Sequence, residues 1–521
     1  MKYPIGIQTF SEIIEEGYVY IDKTADIHQL ISQGKWYFLS RPRRFGKSLL
    51  ISTLEAIFQG RKALFEGLDI ADTDYAFDAH PVVKLEFTKA EITNAESLRS
   101  FISEQAVSLA AVHQITLTAT RYERQFDELI TLLHQKTGKK VVLLIDEYDK
   151  PILNTLETGE LAEVKNTTNA FYAVVKALDE HLRFVFVTGV SKFSKVSAFP
   201  EADSSGMNNL NDISMNQESA TLCGYTQAEL EHYLSAGLSD IAEAESQSID
   251  VIKAKTKQWY NGYCLHPKGE TVYNPHSILS LLRHQEFNNF WFQSATPTFL
   301  IHLLKRDQTD LSELERMEVG AAAFYAVEPE DLDVYAVLLQ TGYLTIKHYD
   351  APSYFLDFPN QEIKDSFFHS LAANYAGVRP SLTNIYAAKM HKALNKGDVS
   401  TFVDQLRIFL ANVPYDITLK NEKYYQSLFF VICKLLAFTA EVEVSTNKGR
   451  IDCVIQTDNA IYVIEFKLQG TKEAALQQIK DKQYAQKYLG QNKRVVLLGV
   501  EFDHEQSNIG EWVEESIKIK P

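Results

Sequence analysis

The chain has 521 residues, of which 45% are hydrophobic and 23% are charged, and its formal net charge at pH 7 is −16. At roughly 150 residues per domain this length predicts about three domains, and the composition excludes a disordered or fibrous chain. The negative charge argues against broad binding of duplex nucleic acid, which depends on Lys and Arg, although a local basic groove is compatible with it.

The sequence contains no feature of an exported or membrane protein. No run of about 18 apolar residues occurs, so we expect no transmembrane helix. The first residues lack the apolar core of a signal peptide. The cysteines form no Cys-x-x-Cys pair, which favours free thiols in a reducing compartment over structural zinc. We therefore expect a cytoplasmic protein that does not associate with membranes.

A phosphate-binding loop is predicted near the N-terminus. Residues 36–39 form an apolar run typical of a buried strand, and a helical pattern starts after a loop that ends in Gly46-Lys47-Ser48. Gly46 lets the backbone approach a phosphate, Lys47 would reach the β- and γ-phosphates, and the Ser48 hydroxyl would bind Mg²⁺. Arg41 stands where the usual pattern has its first glycine, which would bring arginines near the phosphates. The alternative is an ordinary helix start that contains Gly-Lys-Ser.

A second motif favours the nucleotide-binding interpretation. Residues 140–147 form an apolar strand pattern that ends in Asp146 and Glu147, as a Walker B strand does. Asp146 would hold the Mg²⁺ shell, and Glu147 would orient or deprotonate the attacking water. Taken alone, the pattern also fits an ordinary strand with a solvated acidic end. The loop upstream makes that alternative the weaker one.

Two further apolar runs belong to the same predicted sheet. Residues 81–87 lie between the two motifs, and 183–191 follow the second. Helical patterns at 93–113, 120–137 and 165–181 separate the strands, which predicts a parallel α/β sheet. At the end of the last strand, Thr188 or Ser191 would sense the γ-phosphate. A simple polar cap on the strand end is an equally good interpretation.

Four motifs together resemble a known family. They are Tyr-Ile-Asp-Lys-Thr at 20–24, Arg-Pro-Arg-Arg-Phe-Gly-Lys-Ser at 41–48, Ile-Asp-Glu-Tyr-Asp at 145–149 and Thr-Gly-Val-Ser-Lys-Phe-Ser at 188–194. The chain is similar to the AAA-ATPase-like family of gut and oral bacteria, in which Arg41 is usual. A polar stretch at 200–206 looks like an insertion relative to that family. The resemblance implies an ATP site formed by Arg43, Arg44, Phe45, Gly46, Lys47, Ser48, Asp146 and Thr188.

The middle of the chain alternates helical patterns with turns from about residue 215 to 400. Thr226 is a plausible N-cap for a helix from Gln227 to Leu234. The aromatic segments at 259–263 and 273–277 resemble family landmarks. They would either contact a ligand or pack a helical core, and packing is the favoured interpretation. The resemblance implies that this small helical region closes over the nucleotide.

Near the C-terminus the sequence predicts a β-hairpin that carries acidic residues. Strand patterns at 449–455 and 461–467 flank an Asp-Asn turn. Glu465 and Lys467 share one face of the second strand, and Asp452 on the first strand would converge with them. Two carboxylates suit Mg²⁺ or Mn²⁺, and Lys467 would orient a water or stabilise the transition state. The alternative is an edge hairpin with solvated charges.

The spacing Asp-x₁₂-Glu-x-Lys resembles the PD-(D/E)XK nuclease superfamily, which the AAA-ATPase-like family usually carries at this end. The resemblance implies an α-β-β-β-α-β outline and a metal-linked acid on the preceding helix, for which Glu422 is the candidate. It also implies a helix beside the site at 475–485, where Gln478, Lys482 and Tyr484 would touch nucleic-acid backbone. An acid at a helix start, favoured by the helix dipole, explains Glu422 nearly as well, and a solvated helix face explains the residues at 475–485 equally well.

These observations predict an α/β protein with three domains. Residues 1–220 would form an AAA-like P-loop ATPase with a parallel sheet, 221–400 a mostly helical lid or linker, and 401–521 a PD-(D/E)XK restriction-endonuclease-like domain. The predicted function is ATP hydrolysis coupled to Mg²⁺-dependent cleavage of DNA or RNA, with homo-oligomers possible. The alternative is a nucleotide-dependent switch or a nucleic-acid-binding scaffold that does not cleave.

Overall fold

The structure, a computed structural model, describes residues 1–89, 91–193, 210–291, 298–307, 309, 311–314, 317–324, 329, 331–376, 379–412, 422–436, 441–447, 450–489, 493–503 and 508–517. The chain forms two compact units. The first comprises Met1–Ala295 with Glu318–Glu362, and the second comprises Thr296–Met317 with Ile363–Pro521. The division into three domains stays a prediction, and the insertion predicted at 200–206 lies outside the described residues.

The helices, in chain order, are α1 (Phe10–Glu15), α2 (Thr24–Gln33), α3 (Lys47–Phe58), α4 (Ala95–Val112), α5 (Tyr122–Thr137), α6 (Lys150–Thr155), α7 (Leu161–Ala177), α8 (Gln227–Ala244), α9 (Ile249–Tyr260), α10 (Pro275–His284), α11 (Thr298–Arg306), α12 (Val334–Thr341), α13 (Gln361–Ala376), α14 (Pro380–Asn395), α15 (Val399–Leu410), α16 (Glu422–Leu436) and α17 (Lys472–Asp481). The strands are β1 (Trp36–Ser40), β2 (Val82–Glu86), β3 (Val141–Asp146), β4 (Leu182–Gly189), β5 (Asn211–Asp212), β6 (Met317–Val319), β7 (Thr345–Asp350), β8 (Ser353–Asp357), β9 (Glu441–Asn447), β10 (Arg450–Gln456), β11 (Ala460–Lys467), β12 (Arg494–Asp503) and β13 (Asn508–Ile517). Within the described residues, no helix combines the length and apolarity needed to cross a bilayer.

The first unit contains the predicted parallel sheet. Its strand order is β2-β3-β4-β1-β5, and each neighbouring pair is parallel. β1 and β3 are buried along their whole length because helices cover both faces of a parallel sheet. The predicted α/β class is therefore confirmed. In the sheet, β4 separates the two motif strands, whereas β2, which lies between the motifs in sequence, sits on the outer side of β3.

The helical part of the first unit has its own core. α8 begins with a capping box in which Thr226 accepts a hydrogen bond from the Glu229 amide, which confirms the predicted N-cap. The helix runs on to Ala244, ten residues beyond the predicted Leu234, because Leu238 and Ile241 continue its apolar face. Residues of α8, α9 and α10 pack into one cluster that includes the buried aromatics Tyr260 and Tyr273. Packing, the favoured interpretation of these aromatics, is confirmed.

The second unit contains a mixed sheet with the order β13-β12-β11-β10-β9. β9, β10 and β11 form an antiparallel meander, and β12 then pairs in parallel with β11. α16 packs against β9 and β10, and α17 packs against β11 and β12. The α-β-β-β-α-β outline is confirmed, and β13 extends it by one antiparallel edge strand.

A buried acid in the first turn of α13 makes the stability of the first unit depend on pH. Glu362 is fully buried, and burial raises its pKa to about 7. Between about pH 4.5 and 7 the folded state therefore binds a proton that the unfolded state has lost, so stability falls as pH rises through this window by up to about 3 kcal/mol. We expect thermal denaturation to show a smaller loss from pH 5 to pH 8 in Glu362→Gln than in the wild type. Equal losses in the two proteins would contradict this assignment.

Candidate functional sites

The phosphate loop lies between the end of β1 and the start of α3. Gly46 is the N-cap of α3 with φ of 90°, a left-handed conformation in which a side chain would be strained. Arg44 also has a left-handed φ of 66°. A non-glycine residue in this region costs on the order of 1–3 kcal/mol and is found most often where a binding site requires it. The loop therefore has the backbone shape that exposes amides to an anion.

Arg41 does not face the phosphate position, contrary to the expectation that arginines gather there. The residue is 1% exposed, and its guanidinium group donates to the carbonyls of Ser40 and Ser214 at 2.8 Å and of Ser219 at 2.6 Å. Arg41 therefore ties the loop to a distant segment of the first unit. A buried guanidinium group is costly unless it is hydrogen-bonded, and the three carbonyls provide the acceptors that Arg41 needs.

The Asp146 carboxylate lies between the two nucleotide motifs. Ser48 Oγ donates to Asp146 Oδ2 at 2.5 Å, and Thr188 Oγ1 donates to Asp146 Oδ1 at 2.9 Å. Strand β3 ends at Asp146 and its parallel neighbour β4 contains Thr188, so both side chains lie at the carboxyl edge of the sheet. Ser48 and Asp146 provide adjacent hard oxygen ligands, the kind that Mg²⁺ prefers. Thr188 contacts the acid itself.

Ser191, the other candidate sensor, is engaged differently. Its amide donates to the Asp149 carboxylate at 2.7 Å, and its carbonyl accepts from the Tyr148 hydroxyl at 2.9 Å. Burial raises the pKa of Asp149 to about 6. Asp149 and Tyr148 thus fix the segment after β4, a role that the sequence analysis did not assign. The sequence hint of this role is that Tyr148 and Asp149 directly follow Asp146 and Glu147.

A cavity of about 490 Å³ opens above these residues. Its lining includes the phosphate loop from Arg43 to Ser48 together with Asp146 and Glu147. Glu147 has a left-handed φ of 53°, the second strained non-glycine residue at this site. Lys47 Nζ donates to the carbonyls of Arg41 and Pro42 at 3.0 and 3.1 Å, and so folds back over the loop. The structure brings the predicted ATP-site residues to one cavity, except for Thr188, which is fully buried and does not line it.

The far wall of the cavity comes from segments that sequence reasoning did not assign to the site. Ile7 and Gln8 near the N-terminus, Cys223 and Tyr225 before α8, and His276 in α10 all line it. His276 belongs to the segment at 273–277 that resembles a family landmark.

A glycine next to the phosphate loop provides a test of how closely the loop is packed. Gly342 has φ of 88°, and an added Cβ would lie 2.7 Å from two Pro42 side-chain carbons. We expect Gly342→Ala to destabilise the first unit by about 2–4 kcal/mol through backbone strain and overpacking. Gly320→Ala is the matched control, because a Cβ there would meet nothing within 4 Å. Urea denaturation measures both, and equal midpoints would contradict the prediction.

The second candidate site lies on the hairpin of β10 and β11. The antiparallel register places Asp452 directly opposite Glu465. Glu465 is fully buried, and so are its strand neighbours Ile464 and Phe466, whose side chains point to the opposite face of the sheet. Both faces of β11 are therefore covered. The predicted hairpin is confirmed, and the alternative of a solvated edge ribbon is wrong, since β11 is an interior strand.

Gln478 on α17 links the two charged residues of β11. Its amide nitrogen donates to Glu465 Oε1, and its amide oxygen accepts from Lys467 Nζ at 2.5 Å. Lys467 Nζ also lies 3.5 Å from Glu465 Oε1. The sequence analysis expected Gln478 at nucleic-acid backbone or in solvent, whereas here it orients the Glu465 and Lys467 side chains. Lys482 is exposed and lies 5.7 Å from the centre of the Tyr484 ring.

The side chains of two predicted metal ligands of the second site, Asp452 and Glu422, lie outside what the structure describes. Glu422 is the first residue of α16. Among the described side chains, no group of three or more His, Cys, Asp or Glu could hold a metal ion. The roles of Asp452 and Glu422 stay predictions.

Comparisons with known proteins match both ends of the chain. Residues 4–199 match a family described as "Predicted AAA-ATPase", and residues 420–512 match one described as "PD-(D/E)XK nuclease superfamily". A relative from Azotobacter chroococcum mcd 1, named "Uncharacterized protein in vnfD 5'region", is 38% identical over 529 residues, and the match covers 99% of each chain. The solved structure of the Aeropyrum pernix ORC2 protein, in its ADPNP-ADP complexes, aligns with a TM-score of 0.28 and 12% identity over 69% of this chain and 98% of that chain.

Proposed function

The chain belongs to the AAA-ATPase-like family and carries a C-terminal domain of the PD-(D/E)XK nuclease superfamily, and we propose that it couples ATP hydrolysis to metal-dependent cleavage of nucleic-acid phosphodiesters. The observation that carries the first half is the contact of Ser48 and Thr188 with Asp146 beneath the cavity. It joins the phosphate loop, the acidic strand end and the neighbouring strand in one arrangement. The second half rests on Glu465, Lys467 and Gln478.

In the ATP site each residue has a distinct proposed task. The amides of the loop and Lys47 bind the β- and γ-phosphates, for which Lys47 turns away from the carbonyls of Arg41 and Pro42. Ser48 and Asp146 would hold Mg²⁺, which when bound neutralises charge on the phosphates. Glu147 orients or deprotonates the attacking water. The wall that contains Tyr225 and His276 shields the reacting phosphate from bulk solvent.

In the second site the buried strand fixes the reacting groups. Residues directly opposite on an antiparallel pair share a face of the sheet, so we propose that Asp452 and Glu465 hold Mg²⁺ or Mn²⁺, with Glu422 as a further ligand. The ion supplies Lewis-acid activation of the phosphodiester when bound. Lys467 stabilises negative charge on the phosphate, and Gln478 keeps Lys467 beside Glu465.

The test is a cleavage panel with single- and double-stranded DNA and RNA, each with and without ATP and Mg²⁺. Cleavage that requires Mg²⁺ and changes with ATP supports the proposal. ATP hydrolysis without cleavage of any substrate would favour a nucleotide-dependent switch or scaffold. Failure to bind ATP would contradict the proposed ATPase activity. Size-exclusion chromatography of the same samples tests whether ATP promotes the formation of oligomers.

A further inference from the structure

The unusual loop sequence Arg-Pro-Arg-Arg-Phe is fastened to the rest of the first unit along its length. Arg41 binds the Ser214 and Ser219 carbonyls, and the Phe45 ring packs edge-on against Tyr263 with centroids 4.7 Å apart. Such anchoring exceeds what phosphate binding requires, since phosphate loops bind phosphate through backbone amides and one lysine. These contacts therefore connect the phosphate loop to the segments that contain Ser214, Ser219 and Tyr263.

The Arg43 carbonyl is the anchor point inside the phosphate loop itself. The indole Nε1 of Trp291 donates to it at 3.1 Å, and the Asn274 amide reaches it at 3.5 Å. Trp291 is 1% exposed and its ring meets Tyr343 edge-on at 5.2 Å. A shift of the loop backbone on nucleotide binding would break or remake these hydrogen bonds, because the donors are held in the core.

Glu362 is hydrogen-bonded directly to Trp291 and is linked to Asn274 through Ser277. One carboxylate oxygen accepts from the Trp291 backbone amide at 2.7 Å, and the other accepts from Ser277 Oγ at 2.7 Å. The Ser277 amide in turn donates to Asn274 Oδ1 at 3.2 Å. A fully buried carboxylate is costly unless it is hydrogen-bonded, so its position is closely tied to that of its partners. Among the described residues, the titratable groups that interact electrostatically with Glu362 are Tyr260 and Tyr263.

Glu362 lies at the boundary between the two units of the chain. Glu362 lies in the first turn of α13, and it is the last residue of the first unit. From Ile363 onward the same helix belongs to the second unit. A continuous helix transmits displacement of its first turn along its axis, since its backbone hydrogen bonds make it a rigid element.

We propose that Trp291 and Glu362 are positioning residues that transmit the state of the phosphate loop to α13, and so couple ATP binding to the second unit. The inference rests on the proposed ATP site. It assigns a reason to three parts of the Arg-Pro-Arg-Arg-Phe sequence, because Arg41, the Arg43 carbonyl and the Phe45 ring contact other segments of the first unit. The coupling requires two states of the Arg43 carbonyl: the structure holds the one with the Trp291 hydrogen bond, and nucleotide binding would favour the one without it.

The experiment measures hydrogen–deuterium exchange of residues 363–376 in the full-length protein, with and without AMP-PNP and Mg²⁺. In the wild type we expect AMP-PNP to change the exchange rate of this helix by at least about fivefold, the lower end of typical coupling. Trp291→Phe keeps the aromatic packing but removes the donor, and Glu362→Gln replaces one acceptor with a donor. Both variants should still bind AMP-PNP, with affinity weakened by no more than about tenfold, and should lose the response of α13.

Trp259→Phe is the matched control, because Trp259 packs against Phe287 in the same helical region and its substitution should preserve the response. Ser277→Ala, which removes only the hydroxyl that Glu362 accepts from, should weaken it. A full response in Trp291→Phe, or none in a wild type that binds AMP-PNP, would overturn the inference while leaving the ATP site intact. A wild type that does not bind AMP-PNP would overturn the proposed function and the inference together.

Discussion

Glu147→Gln is expected to lower kcat for ATP hydrolysis by about 10²–10⁴-fold, the usual contribution of a general base. ATP affinity should stay near the wild-type value, because Lys47 and the loop amides, and not Glu147, are the proposed phosphate-binding groups. Glu147 follows Asp146 directly, lines the cavity and has a left-handed φ of 53°. That conformation turns the chain away from the strand direction at the point where β3 ends. Phosphate release measures kcat, and a fluorescent ATP analogue measures affinity.

Glu86→Gln is the matched control for this prediction. Glu86 ends β2, lies opposite Asp146 in the strand register and lines the same cavity. It differs from Glu147 in being paired with Lys84 at 3.0 Å and Lys89 at 2.7 Å. A carboxylate committed to two ammonium groups is a poor base, so kcat should change little. If Glu86→Gln were the inactive variant and Glu147→Gln the active one, the assigned base would be wrong.

Much of the architecture followed from patterns that are local in sequence. The apolar runs at 36–39 and 140–147 became β1 and β3 because strands buried on both faces need uninterrupted apolar residues. The helix predicted at 93–113 is α4, whose start is fixed by the capping box of Asn94 and Ser97. The hairpin register was also accessible, since a short turn between alternating strands fixes which residues face each other.

The interactions missed by sequence analysis join residues far apart in the chain. Arg41 binds the carbonyl of Ser219, 178 positions away, and Trp291 binds the carbonyl of Arg43, 248 positions away. Backbone carbonyls carry no sequence signature, so no pattern identifies them as partners of a buried cation. Gln478 was placed beside the second site by resemblance, but its bridge between Glu465 and Lys467 depends on how α17 packs on β11.

The burial of Glu465 was the least predictable feature of the second site. An acid flanked by Ile464 and Phe466 suggests one core face and one polar face, as on a half-exposed strand. β12 and β10 pair with β11 on its two edges, and helices cover its faces, so the acid lies fully within the unit. A buried carboxylate must be compensated by hydrogen bonds or a cation. Because of this requirement, the burial of Glu465 leads to the prediction that its carboxylate binds a metal ion.

Glu465→Gln is expected to reduce Mg²⁺-dependent cleavage by about 10²–10³-fold, since a lost metal ligand removes several kcal/mol of transition-state stabilisation. Gln fits the same volume and still offers an oxygen, so the sheet should fold. Glu473→Gln is the control, because Glu473 is an acid on neighbouring α17 that is 67% exposed. Cleavage by Glu473→Gln and ATP binding by both variants should match the wild type. If Glu465→Gln cleaved normally, the buried acid would serve only to anchor Lys467 and Gln478, and the hydrolytic assignment of the second unit would fail.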